Sequence, residues 1–394
     1  MICKGPVQLV FFMSLPMLYV FSAAYTYIGT YIFDWAKEVP FDLYYDVSSI
    51  YIKEAVLALM SASVFYVVGW VFAALIIPRK KSINYKESES GLFVFGGRTE
   101  LFVIFFVAIT PLFYAVGYGF ASLVEREGYL DPSVDRSGLL LKIHMIMYPI
   151  SAFSCAFIKR KYLGFWLMVL NFSVLFAASS RGAGLVLIIY GISMLIRRRS
   201  FTVRHFILMS LGAYIMIWML SIRNNNVQGL SSNVLSLFSF SLDSNVFFLG
   251  LNYLTSFSVY GFAYTIQSLG VPLKEFLVSI SPFPLSFHGG FSSISSLSLN
   301  ANSPIPSVPT VYSMGVSVFF VFYFFLGIFA FLISFNLKMR KIIDLCVIAV
   351  FLLAVFMSIQ YNLRGFSRLV YLAGFLSVIG RIGLRKYRYL SFRW

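Results

Sequence analysis

Four arginines, Arg181, Arg223, Arg364 and Arg368, stand in this chain without an acidic residue beside any of them. A guanidinium is a rigid fork of N–H donors that fits phosphate or carboxylate oxygens two at a time. Fixed in a poorly hydrated site, such forks stabilise negative charge developing on a leaving group, and they do so without a metal ion. His288, in Phe287-His288-Gly289-Gly290, supplies an imidazole, the side chain suited to proton transfer near neutrality. Asp243 and Glu275 are the only acids between residues 223 and 310, and either is an alternative base or a structural partner for an arginine, the structural role being favoured. No glycine-rich phosphate loop, carboxylate pair or nucleophile elbow is visible. Three histidines and three cysteines without ligand spacing argue against a metal centre, zinc or a disulfide.

The elements that must hold these residues are membrane helices. Of the 394 residues 59% are hydrophobic and only 12% charged, with a mean hydropathy of +0.84. Several apolar runs exceed the roughly 18 residues that mark a spanning helix. No polar stretch is long enough for a soluble domain, so residues 1–394 read as one membrane domain. The net charge of +16 does not point to nucleic acid. Its basic clusters, Arg79–Lys81, Lys159–Lys161, Arg197–Arg199, Lys338–Lys341 and Arg385–Arg388, each abut the end of an apolar run. They read as cytoplasmic stop signals.

With those clusters inside, ten spans follow at about 7–33, 55–77, 101–122, 139–157, 162–178, 183–196, 205–222, 311–336, 342–359 and 369–384, and both termini are cytoplasmic. The first is read as an uncleaved span, too long for a signal-peptide core. Residues 223–310 lie between two external points. They either cross twice more, giving twelve helices, or form one large external loop with interfacial helices, and the second is favoured. Its distal half, 281–310, is rich in Ser, Pro and Asn and reads as an irregular polar loop, with Phe283, Phe287, Phe291 and Tyr312 as faces for sugar rings.

Two hairpins look short. Between basic anchors, residues 162–196 must hold two crossings and the Ser179–Gly182 turn, leaving about 15 residues a leg, or ~23 Å against a ~30 Å core. The same count applies to 342–380 around a turn at 361–368. Both turns are therefore expected below the outer surface, carrying Arg181, Arg364 and Arg368, with Arg223 at the same level. Lys37, Lys53, Arg126, Arg136 and Lys274 each adjoin an acid and read as ordinary solvated faces; Lys142 and His144 read as interfacial.

The Ser180-Arg181-Gly182 turn between short spans, Arg223 after the next span, the external loop ending in Asn302-Ser303-Pro304, and the Arg364-Gly365 turn together resemble the O-antigen polymerase (Wzy-type) family of bacterial envelopes. The resemblance covers most of the chain, in topology and short motifs. It implies an all-α polytopic protein of the inner membrane with its active site facing the periplasm, a lipid-carrier-dependent glycosyltransferase. Such an enzyme polymerises oligosaccharide repeats carried on undecaprenyl pyrophosphate, donor and acceptor alike, with no cofactor, no metal and no nucleic acid. A chain-length regulator protein is a further candidate partner. On this reading Arg181 and Arg364 stabilise the leaving pyrophosphate. Arg223 and Arg368 hold substrate phosphates, His288 or Asp243 takes the hydroxyl proton, and Asn300, Asn302 and Ser303 in the loop bind sugars. The rival readings are a lipid-linked oligosaccharide flippase or other polysaccharide transporter, and an O-antigen ligase.

Overall fold

A computed structural model describes residues 6–39, 43–77, 95–128, 137–198, 202–222, 227–238, 244–283, 285–288, 298–300, 303–337 and 342–390. In chain order the helices are α1 (Pro6–Tyr31), α2 (Ser49–Ile76), α3 (Gly97–Tyr118), α4 (Phe120–Val124), α5 (Gly138–Cys155), α6 (Lys161–Ala177), α7 (Gly182–Arg198) and α8 (Val203–Ser221). They continue as α9 (Leu230–Phe238), α10 (Ser244–Leu254), α11 (Ser256–Tyr264), α12 (Leu273–Ile280), α13 (Ser307–Tyr312), α14 (Val316–Asn336), α15 (Ile342–Gln360) and α16 (Leu363–Leu390). Two antiparallel strand pairs join β1 (Arg126–Glu127) to β2 (Val227–Gln228) and β3 (Ser298–Asn300) to β4 (Ser303–Pro304).

Among the described residues, eight helices are long and apolar enough to cross a membrane: α1, α2, α3, α5, α8, α14, α15 and the Leu363–Gly380 part of α16. The shorter α6 and α7 are also apolar. Large apolar side chains such as Leu57, Leu75, Leu101, Phe105 and Phe325 stand exposed on α2, α3 and α14, as lipid-facing surfaces do. The chain is an all-α polytopic membrane protein. None of the described helices between residues 227 and 310 is among the eight. The apolar stretch 246–266 is no single span: α10 stops at Leu254, and Thr255, with φ −116° and ψ −65°, breaks it from α11.

The two short hairpins fare differently. Helices α6 and α7 have 17 residues each, about 26 Å at 1.5 Å per residue, still under the ~30 Å hydrocarbon core. Near the C-terminus the expectation is corrected. Helix α15 runs 19 residues and α16 begins at Leu363, so the link is only Tyr361-Asn362. Arg364 and Arg368 lie on the first two turns of a helix, not on a sunken loop. The Asn362 side chain accepts the Gly365 N–H at 2.9 Å, the side-chain cap that lets a helix start there. Likewise α2 starts six residues earlier than read, taking Lys53 and Glu54 into the helix.

The chain divides into two compact units, residues 1–81 with 251–394, and residues 82–250. In the first, α1, α2 and α14 enclose an aromatic core. Tyr19 and Tyr323 meet edge to face with hydroxyls 3.3 Å apart, Phe11 stacks on Phe351 at 4.2 Å, and Trp70 meets Phe331 at 5.3 Å. The closest helix pair is α2 with α14. A Cβ added at Gly69 would overlap the Phe324 carbonyl oxygen, and one at Gly327 the Tyr66 carbonyl oxygen. The second unit repeats the device between α7 and α8, where Gly184 and Gly212 each face the other's carbonyl oxygen. Lipid tails are as apolar as leucine, so membrane helices gain by such backbone-to-backbone approach.

Substituting valine at Gly212 or at Gly327 is expected to cost roughly 1–3 kcal/mol by overpacking. The check is the fraction of detergent-solubilised protein that survives heating as a monodisperse species. Unchanged heat resistance in both variants would remove the close-approach reading.

Candidate functional site

Helix α12 is eight residues long and ends at Ile280. Its last carbonyls have no partner within the helix, as at every helix C-terminus. Helix α16 supplies the partners from one face. Arg364, Ser367, Arg368 and Tyr371 recur at i, i+3, i+4 and i+7, the spacing that aligns side chains on one stripe. Arg364 donates from Nη1 to the Val278 carbonyl at 2.7 Å and from Nη2 to the Phe283 carbonyl at 3.0 Å. Ser367 Oγ donates to the Ser279 carbonyl at 2.7 Å, and the Tyr371 hydroxyl to that of Ile280 at 2.5 Å. Arg368 Nη2 reaches the Phe283 carbonyl at 3.3 Å. Basic and hydroxyl donors at a helix C-terminus also meet the negative end of its dipole.

The two arginines of this stripe are unlike. Arg364 is 5% exposed, and its Nε has no hydrogen-bond partner. Arg368 is exposed, with one bond to a carbonyl. A guanidinium has five N–H donors, so this bond engages only part of the Arg368 fork. Neither makes an ion pair among the described residues. Arg364 thus ties down the Val278 and Phe283 carbonyls, and Arg368 is the exposed one of the two.

The segment they hold continues to His288. Ser281 Oγ accepts the Phe283 N–H at 3.2 Å and lies 2.9 Å from His288 Nε2. A 3-10 turn over Leu285–His288 brings the imidazole back to Ser281. Phe283 and Phe287 are both exposed, with ring centroids 6.0 Å apart. One corner therefore assembles Arg364, Arg368, Ser281, Phe283, Phe287 and His288.

Arg181 belongs to the other unit. It follows Ser179, held at φ +52°, and Ser180, whose hydroxyl caps the Gly182 N–H at 3.2 Å; the Arg181 carbonyl accepts from Leu185 at the start of α7. The arginine that builds this turn is Arg126, and here the reading of a solvated face is corrected. Arg126 is 5% exposed. Its Nη1 donates to the carbonyls of Ala177 (3.0 Å) and Ser122 (3.1 Å), and its Nη2 to Gln228 Oε1 (3.0 Å) and Ser179 Oγ (3.2 Å). Its guanidinium lies 5.3 Å from the centre of the Tyr118 ring. Asn233 completes the network, donating to the Phe176 carbonyl at 2.7 Å. Glu125 and Glu127, the acids that made Arg126 look ordinary, point to solvent. Pairing of β1 with β2 across a hundred residues of chain brings Gln228 to Arg126, and no local signal announces it.

Arg223, Asp243, Asn302 and Phe291 lie outside the described residues. Asn300 and Ser303 face each other in the β3–β4 pair. Tyr312 is bound rather than open: its hydroxyl donates to Glu54 Oε1 at 2.7 Å. Burial, with the Glu54 carboxylate as acceptor and neighbouring charge, pushes its phenol up to about 12, so it stays a donor at physiological pH. Lys53, beside Glu54 in sequence, instead lies over the Tyr31 ring at 5.4 Å. Lys37 does take an acidic partner, Asp34 at 2.6 Å. His144 is buried among Tyr114 and Tyr148, a packing residue. Among the described residues no three His, Cys, Asp or Glu gather as a metal-binding group.

No family model, curated protein or solved structure matches this chain.

Removing the Arg126 fork leaves buried acceptors unsatisfied at roughly 1–3 kcal/mol for each. Arg126→Ala should therefore lower the heat resistance of the detergent-solubilised protein well beyond Arg368→Ala. Arg126→Lys should not restore it, because one ammonium cannot reach acceptors spread over a planar fork. A lysine variant as heat-resistant as the parent would contradict this geometry.

Proposed function

We propose that the protein polymerises undecaprenyl-pyrophosphate-linked oligosaccharide repeat units into O-antigen or a related surface polysaccharide, at the periplasmic face of the bacterial inner membrane. The observation that carries this reading is the corner on α16. An exposed guanidinium, Arg368, stands one helical turn from a buried one, Arg364, both bonded to neutral carbonyls, close to the N-terminal end of a membrane helix. That end carries partial positive charge of its own. Such a corner suits a phosphate-bearing ligand at the surface of the bilayer.

In the proposed reaction a hydroxyl of the acceptor glycan attacks the anomeric carbon of the donor. The new glycosidic C–O bond forms as the bond from that carbon to the pyrophosphate oxygen breaks, and undecaprenyl pyrophosphate leaves with the electron pair. Arg368 meets the charge that grows on the leaving oxygens, which is where fixed donors lower a barrier most. Arg364 holds the Phe283 carbonyl and so sets where that site lies. His288 takes the hydroxyl proton on its ring nitrogen, with Ser281 orienting the imidazole. Asp243 is the other candidate base. Arg181 and Arg223 are the candidate phosphate contacts in the second unit, and Asn300, Asn302 and Ser303 remain candidate sugar contacts. A flippase or transporter would be served by cations midway along several helices, and an O-antigen ligase by the same chemistry with a different acceptor.

Deleting the protein separates these readings on a polysaccharide gel. A polymerase leaves lipid cores capped with a single repeat. A flippase leaves no surface glycan with lipid-linked units retained inside, and a ligase leaves long polymer that is never attached. In the intact cell Arg368→Ala is expected to reduce long chains by about 100-fold, the scale for losing one donor to a developing charge, at unchanged protein abundance. Arg364→Ala should lower both polymer and folded protein. A normal ladder from Arg368→Ala would remove Arg368 from the mechanism.

A further inference from the structure

We infer that Phe283 and Phe287 form a carbohydrate platform that receives the sugar bonded directly to the carrier pyrophosphate. This inference rests on the reading of Arg368 as a pyrophosphate contact. Both rings are large, apolar and exposed, Phe283 by 59% and Phe287 by 75%. They stand 6.0 Å apart with planes inclined by 39°, a shallow open V. The Phe283 carbonyl takes donors from Arg364 and Arg368, its N–H is tied to Ser281, and His288 returns to the same serine. Hydrogen bonds within the protein thus hold Phe283 and His288 in place, and a site held in advance spares the cost of ordering a loop on binding.

An aromatic face carries negative charge and an edge positive charge. The C–H groups on one side of a pyranose ring form an apolar, weakly positive surface that complements such a face. The first sugar of a lipid-linked glycan is bonded to the phosphate itself. A site that grips the phosphate through Arg368 would have its sugar close by, and Phe283 is the residue whose carbonyl Arg368 touches. His288 closes the other end of the segment, where an attacking hydroxyl must give up its proton. Lipid contact would need only apolar bulk at these positions. A sugar needs the ring face, and that difference is measurable.

The test uses the full-length protein in nanodiscs and two probes: the lipid-linked repeat unit extracted from cells lacking the protein, and bare undecaprenyl pyrophosphate. The parent protein should bind the glycan-bearing lipid at least about tenfold more tightly than the bare carrier. Phe283→Leu with Phe287→Leu should erase that preference while leaving affinity for the bare carrier within about twofold. The matching double tryptophan variant, which keeps a ring face, should retain it. Preference that persists in the leucine variant, or is absent from the parent, overturns the platform while the phosphate contact stands. A parent protein that binds neither probe removes the Arg368 reading, and the platform with it.

Discussion

A helix that ends inside a membrane protein leaves carbonyl oxygens that water cannot reach, and each such group is costly until something donates to it. Among the described residues, two buried guanidiniums meet that constraint. Arg126 receives the end of α6 at Ala177, and Arg364 receives the end of α12 at Val278. Both also reach a second segment, Gln228 in one case and Phe283 in the other. Each arginine is therefore a capping group and a cross-link between segments far apart in sequence. The turn that carries Arg181 and the segment that carries His288 hang from these two joints.

The solution has an electrostatic by-product. A carboxylate in place of the carbonyls would have neutralised the guanidinium. Carbonyl dipoles solvate it and leave the formal charge in place. At the α16 corner that charge is reinforced by Arg368 one turn further on and by the dipole at the start of the helix. One stripe of residues thus meets the structural need and, on the proposed function, the anion as well, with the buried member holding the frame and the exposed member facing outward.

Eight of the ten stretches read as spans are helices long and apolar enough to cross a membrane, because hydropathy over twenty residues is a sum, tolerant of local detail. Helix α15, bounded by a basic cluster and by Tyr361-Asn362, falls at 342–360 where the apolar run places it. The start of α16 was not legible by the same means. Arginine and serine lower the apolar score over 364–368, so polar residues that line one face of a helix read as a turn. The face itself, 364, 367, 368 and 371, becomes visible once periodicity is asked for instead of hydropathy. Arg126 illustrates a second failure. Acidic neighbours along the chain suggested a solvated ion pair, yet in a two-residue strand adjacent side chains point to opposite faces, so Glu127 turns outward as Arg126 turns in. Tyr312 and Glu54 could not have been matched by any local rule, since 258 residues separate them. Arg181 was legible as a turn residue because Ser-Arg-Gly between two apolar runs admits little else.

The reciprocal glycine contacts bear on how such a protein can move. Where Gly184 meets Gly212, and Gly69 and Gly327 meet the facing backbones, no layer of side chains lies between the helices to rearrange. A shift of one helix along the other would drive carbonyl oxygen into carbonyl oxygen, so these pairs act as girders that resist sliding. Sliding within these helix pairs is therefore the motion that their close packing opposes. On the proposed function, a growing product that has to vacate its place after each cycle would leave without any stroke along these helix pairs.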